Sequence, residues 1–221
     1  MIFLSLKTYP QASGDQVIKL CQIVKKVQDK TKIKIMVGAQ AFDIRRIKKE
    51  VGIEVWAQHL DPIDPGRHFG WLSPYSAKQA GATGTMINHA EHAVDFDTIK
   101  ATMKKCQSHN LKTLVGTDSI NLAKKVINLK PNYLAFENPD LIAGNTSFVD
   151  VDADRIKQVI DLTPMPFFVG AGISKKSHVQ KTIKLGGQGV ILASGVIKAN
   201  DQETALYDLA SGFQNHTFKV R

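Results

Sequence analysis

The chain has 221 residues, 43% hydrophobic and 22% charged, with no low-complexity tract, enough to bury one sizeable core. No apolar run approaches the roughly 20 residues that cross a bilayer, and Met1-Ile-Phe-Leu-Ser-Leu-Lys7 lacks the basic lead-in of a signal peptide, so a cytoplasmic protein with no membrane contact is expected. The net charge of +9 would admit nucleic acid. Its lysines, however, are scattered over successive helices without interleaved aromatics, so we expect no nucleic-acid partner and only a mild attraction for small anions.

In chain order, Ile2 to Leu6 reads as a short strand that runs into Lys7. A helix from Asp15 to Gln28 follows, with Val17, Leu20, Cys21, Val24 and Val27 close to the 3.6 period. Strands are predicted at 33–37, 54–58, 83–88, 112–116, 132–136, 166–170 and 189–193. Helices are predicted at 43–50, 74–80, 96–109, 119–129, 152–162, 175–185 and 201–213, with a short turn of helix at 195–199 and a polar tail from Gln214. A long loop carrying Pro62, Pro65, Gly66, Gly70 and Trp71 separates the third strand from its helix. Cys21 and Cys106 fall in helices without metal-ligand spacing, as expected of a reducing compartment.

Strands too short to alternate, each followed by a helix, call for a parallel sheet buried on both faces. Eight such units, with no Gly-x-Gly-x-x-Gly after the first strand and no composition shift, predict one closed (β/α)8 barrel over residues 1–221.

Functional groups of such barrels sit at the C-terminal strand ends. Those ends carry Lys7, the run Asn88-His89-Ala90-Glu91-His92, Glu137, and two glycine turns, Gly170-Ala-Gly172-Ile173-Ser174 and Ala193-Ser194-Gly195. A lone Glu closing the apolar run 132–136 is desolvated unless paired, which raises its pKa toward catalytic use. Each feature also has a structural reading. Glu137 can cap the next helix, Lys7 can reach out to solvent, His89 can be satisfied by backbone, and the glycines can simply turn the chain. Together they point elsewhere, because turns after strands seven and eight are where this architecture binds phosphate. Free N–H groups at Gly172, Ile173, Ser194 and Gly195 would form an anion cradle. His89 and His92 do not form a His-Glu-x-x-His pair. We expect no metal and no cofactor.

The strand-end motifs resemble those of triosephosphate isomerase, closest to its short archaeal form. They include Leu6-Lys-Thr-Tyr9, Gly81-Ala-Thr-Gly84, Ile87-Asn-His-Ala-Glu91, Ala135-Phe-Glu137, Gly170-Ala-Gly-Ile173 and Ala193-Ser-Gly-Val-Ile-Lys-Ala199. The family is itself the standard illustration of a tuned acid–base pair. The resemblance implies a TIM barrel in which Glu137 is the base. His89, kept neutral by the helix N-terminus after it, would be the electrophile. Lys7 would stabilise negative charge, held by Glu91. It further implies a lid from Asn138 to Gly144, with Gly144 adding an N–H to the phosphate of a small phosphorylated sugar, and Ser5 at the substrate.

The chain departs from that pattern at Ser5 (usually Asn), Ala90 (usually Ser), His92 (usually Arg) and Asn138 (usually Pro). A small side chain at Ser5 and Ala90 keeps open an isomerase of a larger phosphorylated sugar, and a non-catalytic sugar-phosphate binder is the other reading. Phe69 and Trp71 in the loop 61–73 predict a homo-oligomer, dimer or tetramer.

Overall fold

Strands this short and apolar need cover on both faces, and the chain supplies it by closing its sheet. The computed structural model describes residues 1–142, 144 and 146–214. Eight parallel strands, β1 (Ile2–Ser5), β2 (Ile35–Ala39), β3 (Val55–Ala57), β4 (Gly84–Ile87), β5 (Lys112–Thr117), β6 (Tyr133–Phe136), β7 (Phe167–Val169) and β8 (Gly189–Leu192), pair in sequence order, and β8 returns to β1. Around them lie α1 (Asp15–Thr31), α2 (Ala41–Glu50), α3 (Pro74–Ala80), α4 (Phe96–Ser108), α5 (Ile120–Ile127), α6 (Phe148–Val151), α7 (Ala153–Leu162), α8 (Lys176–Leu185), α9 (Ser194–Ile197) and α10 (Gln202–Ser211). The expected closed (β/α)8 barrel is therefore the observed fold. Among the described residues, no helix is long and apolar enough to cross a membrane.

Three local expectations are corrected. The second strand begins at Ile35 rather than Ile33 and runs through Gly38. Glycine usually weakens a strand, but here the Phe3 ring fills the place its side chain would take, since a Cβ on Gly38 would lie 2.8 Å from that ring. The first helix continues to Thr31, where Lys32 turns left-handed (φ 62°) and donates its N–H to the Gln28 carbonyl. A short helix, α6, precedes α7 where a loop was expected, with Asp152 serving as the N-cap of α7 by accepting the Arg155 N–H. The expected polar tail beyond Gln214 and Ala143 of the expected lid lie outside the described residues.

The pleat sorts side chains by parity. Leu4, Val37, Leu134, Phe136 and Val169 point outward and pack with the helices in one buried cluster. Phe3, Met36, Trp56, Met86, Leu114, Tyr133, Phe168 and Ile191 point inward and form a second cluster inside the barrel. Four of these are aromatic and meet edge to face in a row, Phe3–Trp56 at 6.0 Å, Trp56–Tyr133 at 5.8 Å and Tyr133–Phe168 at 5.6 Å between centroids, the geometry that ring quadrupoles favour. The indole N–H is not stranded, because it donates to Glu54 Oε1 at 2.9 Å.

Rings of this size fit only because neighbouring strands are bare. A Cβ on Gly84 would lie 2.3 Å from the Lys112 carbonyl and 2.6 Å from the Trp56 ring, and one on Gly189 would lie 2.3 Å from the Phe168 ring. Gly84→Ala is therefore expected to destabilise the barrel by about 1–3 kcal/mol, the cost of overpacking. Urea unfolding of the two proteins checks this, and an unchanged midpoint would show that the interior has slack.

Candidate active site

Continuing the inward parity past the aromatic row, by two residues from Phe3 and Phe168 and by four from Tyr133, brings Ser5, Gly170 and Glu137 to the C-terminal mouth. There Ser5 and Glu137 border a cavity of about 400 Å³ that is also lined by Lys7, His89 and residues of the two glycine turns. Of the ten residues expected at the site, nine line this cavity: Ser5, Lys7, His89, Glu137, Gly144, Gly172, Ile173, Ser194 and Gly195. Glu91 is the tenth and stands behind Lys7.

Glu137 follows β6 directly, its N–H donating to the Thr117 carbonyl at 3.0 Å. Its side chain is 4% exposed and lies flat over Gly170, where a Cβ would come within 2.1 Å of Oε1. Only a glycine leaves room for the carboxylate in that position. Burial is the largest influence on the group and pushes its carboxyl above the ordinary carboxylate range. His89 and Lys7 pull it down, and Glu91 adds to the rise. Among the described residues the nearest polar partner is His89 Nε2, 3.8 Å from Oε2, too far for a hydrogen bond.

His89 caps a 3-10 turn, Ala90–His92, and its Nδ1 accepts the Glu91 N–H at 3.1 Å. A ring whose Nδ1 accepts carries its proton on Nε2, the nitrogen that faces Glu137. The chain reaches this turn through Asn88, which adopts φ 60°. Asn tolerates that conformation, and its side chain fixes the bend by donating to the Gly116 carbonyl and accepting the Val94 N–H, both at 2.9 Å.

Lys7 is likewise left-handed, at φ 48°, a conformation that costs a lysine about 1–3 kcal/mol. Two contacts hold it there. Gln58 Nε2 donates to the Lys7 carbonyl at 3.0 Å, and the Lys7 ammonium meets Glu91 Oε1 at 2.7 Å. Glu91 thus serves the cavity twice, by backbone through His89 and by carboxylate through Lys7.

The anion cradle is made of backbone. Ala171 and Gly172 both have positive φ, 69° and 71°, which turns successive peptide groups the same way. Among the described residues, the N–H groups of Gly172, Ile173, Ser194 and Gly195 have no acceptor within the chain. Gly144 differs, since its N–H donates to the Leu141 carbonyl at 3.2 Å. Asn138 opens the lid segment by accepting the Asp140 N–H at 3.1 Å, and Ile142 lines the cavity.

His92 stacks on His59, with centroids 4.0 Å apart. His59 in turn meets Asp61 Oδ1 at 3.2 Å. Among the described residues, no group of three or more His, Cys, Asp or Glu side chains could hold a metal ion. Gln58, Asn88, Ser174 and Lys175 also belong to the site; sequence reasoning missed Gln58 and Lys175, and read Asn88 and Ser174 only as members of strand-end runs without giving them a role. Asn88 had a signal, being an Asn at a strand end next to His89. Gln58 had none, because its partners are 20 and 51 residues away.

A profile of the triosephosphate isomerase family matches residues 1–211. The triosephosphate isomerase of Methanobacterium bryantii is 38% identical over 216 residues, spanning 96% of each chain. That of Methanocaldococcus jannaschii is 37% identical over 95% of this chain and 98% of its own. The crystal structure of triosephosphate isomerase from Bartonella henselae superposes with a TM-score of 0.71, covering 97% of this chain and 98% of that one at 13% identity, a likeness of fold.

Because the folded-state pKa of Glu137 is raised above the unfolded value of 4.5, its contribution to stability is fully present below about pH 4.5 and lost as pH rises through the folded value. Glu137→Gln removes that loss. Its urea midpoint should exceed the parent's at about pH 7, and the gap should close toward about pH 4. A gap independent of pH would contradict a desolvated carboxylate.

Proposed function

Since the chain belongs to the triosephosphate isomerase family, we propose that it interconverts glyceraldehyde 3-phosphate and dihydroxyacetone phosphate through an enediolate. The observation that carries this reading is the meeting of Glu137, His89 Nε2 and Lys7 in one cavity with two turns of unpaired N–H groups. Glu137 is the base. Its carboxylate takes the proton from the carbon beside the carbonyl, and the C–H electron pair moves into the enediolate. His89 Nε2–H donates to the developing oxyanion, and the Lys7 ammonium offsets its charge. The carboxyl then returns the proton to the neighbouring carbon, while the hydroxyl on the carbon that lost it passes its own proton to the oxyanion by way of His89 Nε2 and becomes the new carbonyl, so aldose and ketose exchange without a redox partner.

A base whose pKa is raised by burial is stronger while ionised and better matched to neutral pH. The cradle formed by Gly172, Ile173, Ser194 and Gly195 takes the phosphate. Closure of the lid, Asn138 to Gly144, frees the Gly144 N–H from Leu141 to join them and shuts out water. A second cavity of about 230 Å³ lies beyond Glu137, lined by Ala90 and Pro139. With the short Ser5 on the near side, it favours a larger phosphorylated aldose or ketose as the second reading.

The loop 61–73 is pinched at its base, where the Leu72 N–H donates to Asp61 Oδ2 at 2.6 Å. It presents Phe69 (104% exposed) and Trp71 (56%) to solvent. Apolar side chains so placed suit burial against a second copy of the chain.

Purified protein should isomerise both trioses without added metal or nucleotide, and Glu137→Gln should lower kcat by about 100- to 10,000-fold with a smaller change in KM. A coupled assay checks this. Equal rates for parent and variant would sink the reading, and a higher kcat/KM for four- or five-carbon sugar phosphates would transfer it to the larger substrate. The acid limb of kcat/KM should lie above 4.5, the ordinary value for this carboxyl. Sedimentation should give at least a dimer, and Phe69→Ser combined with Trp71→Ser should shift the mass toward the monomer.

A further inference from the structure

Behind the cradle, one buried histidine joins the turn that borders the cavity to α6, the short helix that follows the lid segment. His178, in the first turn of α8, is 5% exposed. Its Nδ1 accepts the Ser174 N–H at 3.2 Å, which leaves the ring proton on Nε2. That nitrogen faces Asp150 Oδ2 at 3.1 Å. Asp150 lies on α6, immediately after the lid, and also pairs with Lys181. Ser174 ends the turn after β7 and lines the cavity. It is also where the two halves of the cradle touch, since a Cβ on Gly195 would lie 3.3 Å from Ser174 Cβ.

Two backbone contacts run in parallel with this link. The Phe148 N–H donates to the Ala171 carbonyl at 3.1 Å, and Gly172 passes so close to the chain that a Cβ there would lie 2.1 Å from the Thr146 carbonyl oxygen. Neither titrates in the physiological range. The histidine link carries a titratable ring.

We propose that His178 is a positioning residue that holds the phosphate cradle in register with the far hinge of the lid, by accepting from Ser174 and donating to Asp150 at once. This rests on the isomerase reading and deepens it by naming a residue that sets anion affinity from outside the cavity. Only the singly protonated ring can do both jobs. A doubly protonated ring has no acceptor for the Ser174 N–H, so that peptide loses its anchor and the turn bearing Gly172 and Ile173 loosens. The charged groups facing the ring are Asp150 from α6, Lys175 beside the start of α8 and Lys181 on α8. Burial is the largest influence and holds His178 below the ordinary histidine range. Asp150 opposes it, and the two lysines add to it.

The test uses inorganic sulfate, which stays dianionic across the range, read by NMR shifts of the Gly172 and Gly195 amides. Sulfate binding to the parent should hold through neutral pH and weaken only as the pH falls below 6.5, the ordinary histidine value. His178→Leu should weaken it at about pH 7.5 by up to about tenfold, the worth of one lost hydrogen bond. Triose phosphate KM should rise in step while kcat changes less. His178→Asn keeps an acceptor for Ser174 and cannot titrate, so it should restore most of the affinity and flatten the pH profile relative to the parent. A folded His178→Leu with parental sulfate affinity overturns the proposal. So does a His178→Asn that matches His178→Leu, or one whose pH profile matches the parent's. Sulfate binding needs no turnover, so a protein that binds sulfate and fails to isomerise refutes the reaction alone.

Discussion

A carboxylate kept out of water at the rim of an apolar barrel is the constraint on which the site turns. Removing Glu137 from solvent is unfavourable in itself, and the surrounding chain is arranged to tolerate it without neutralising it by a direct ion pair. Gly170 gives up its side chain so that the carboxylate can lie flat. His89 stands 3.8 Å away, near enough to moderate the charge and too far to consume it. Lys7, the nearest strong cation, is drawn to Glu91 instead. The result, among the described residues, is a carboxylate that is desolvated yet unengaged.

The rim gathers strain around that base. Among the described residues six non-glycine ones have positive φ, and three of them, Lys7, Asn88 and Ala171, border the mouth at the ends of β1, β4 and β7. The other three, Lys32, Asn110 and Lys130, follow α1, α4 and α5, where a left-handed residue simply ends a helix. At the mouth the same conformation aims functional groups. It turns Lys7 across to Glu91, swings His89 over the cavity and points the amides of the β7 turn at one place. Side chains with no part in the chemistry, Gln58 and Asn88, supply the hydrogen bonds that hold two of these bends.

The barrel itself was legible because a strand of four or five apolar residues followed by a periodic helix, eight times over, leaves few other solutions. Lys7, His89 and Glu137 were legible because they are polar residues at the ends of apolar runs. What escaped were features whose cause lies far away in sequence. Gly38 reads as a strand breaker until Phe3 is placed against it. Gln58 is one polar residue among many until the turn at Lys7 needs an anchor. His178 looks like an ordinary helix residue until α6 brings Asp150 to it. Asp150 was itself hidden by the expectation of a loop where α6 forms. The Gly144 N–H, expected at the phosphate, donates here to the Leu141 carbonyl within the lid segment, a local bond that the sequence does not announce.

The aromatic row across the barrel interior has a consequence of its own. With Phe3, Trp56, Tyr133 and Phe168 interlocked beneath the cavity, the site is a cup with a solid floor rather than a tunnel. Whatever enters must turn and leave by the same doorway. Two ligands that each fill the cup therefore exclude one another, and the second waits on the departure of the first.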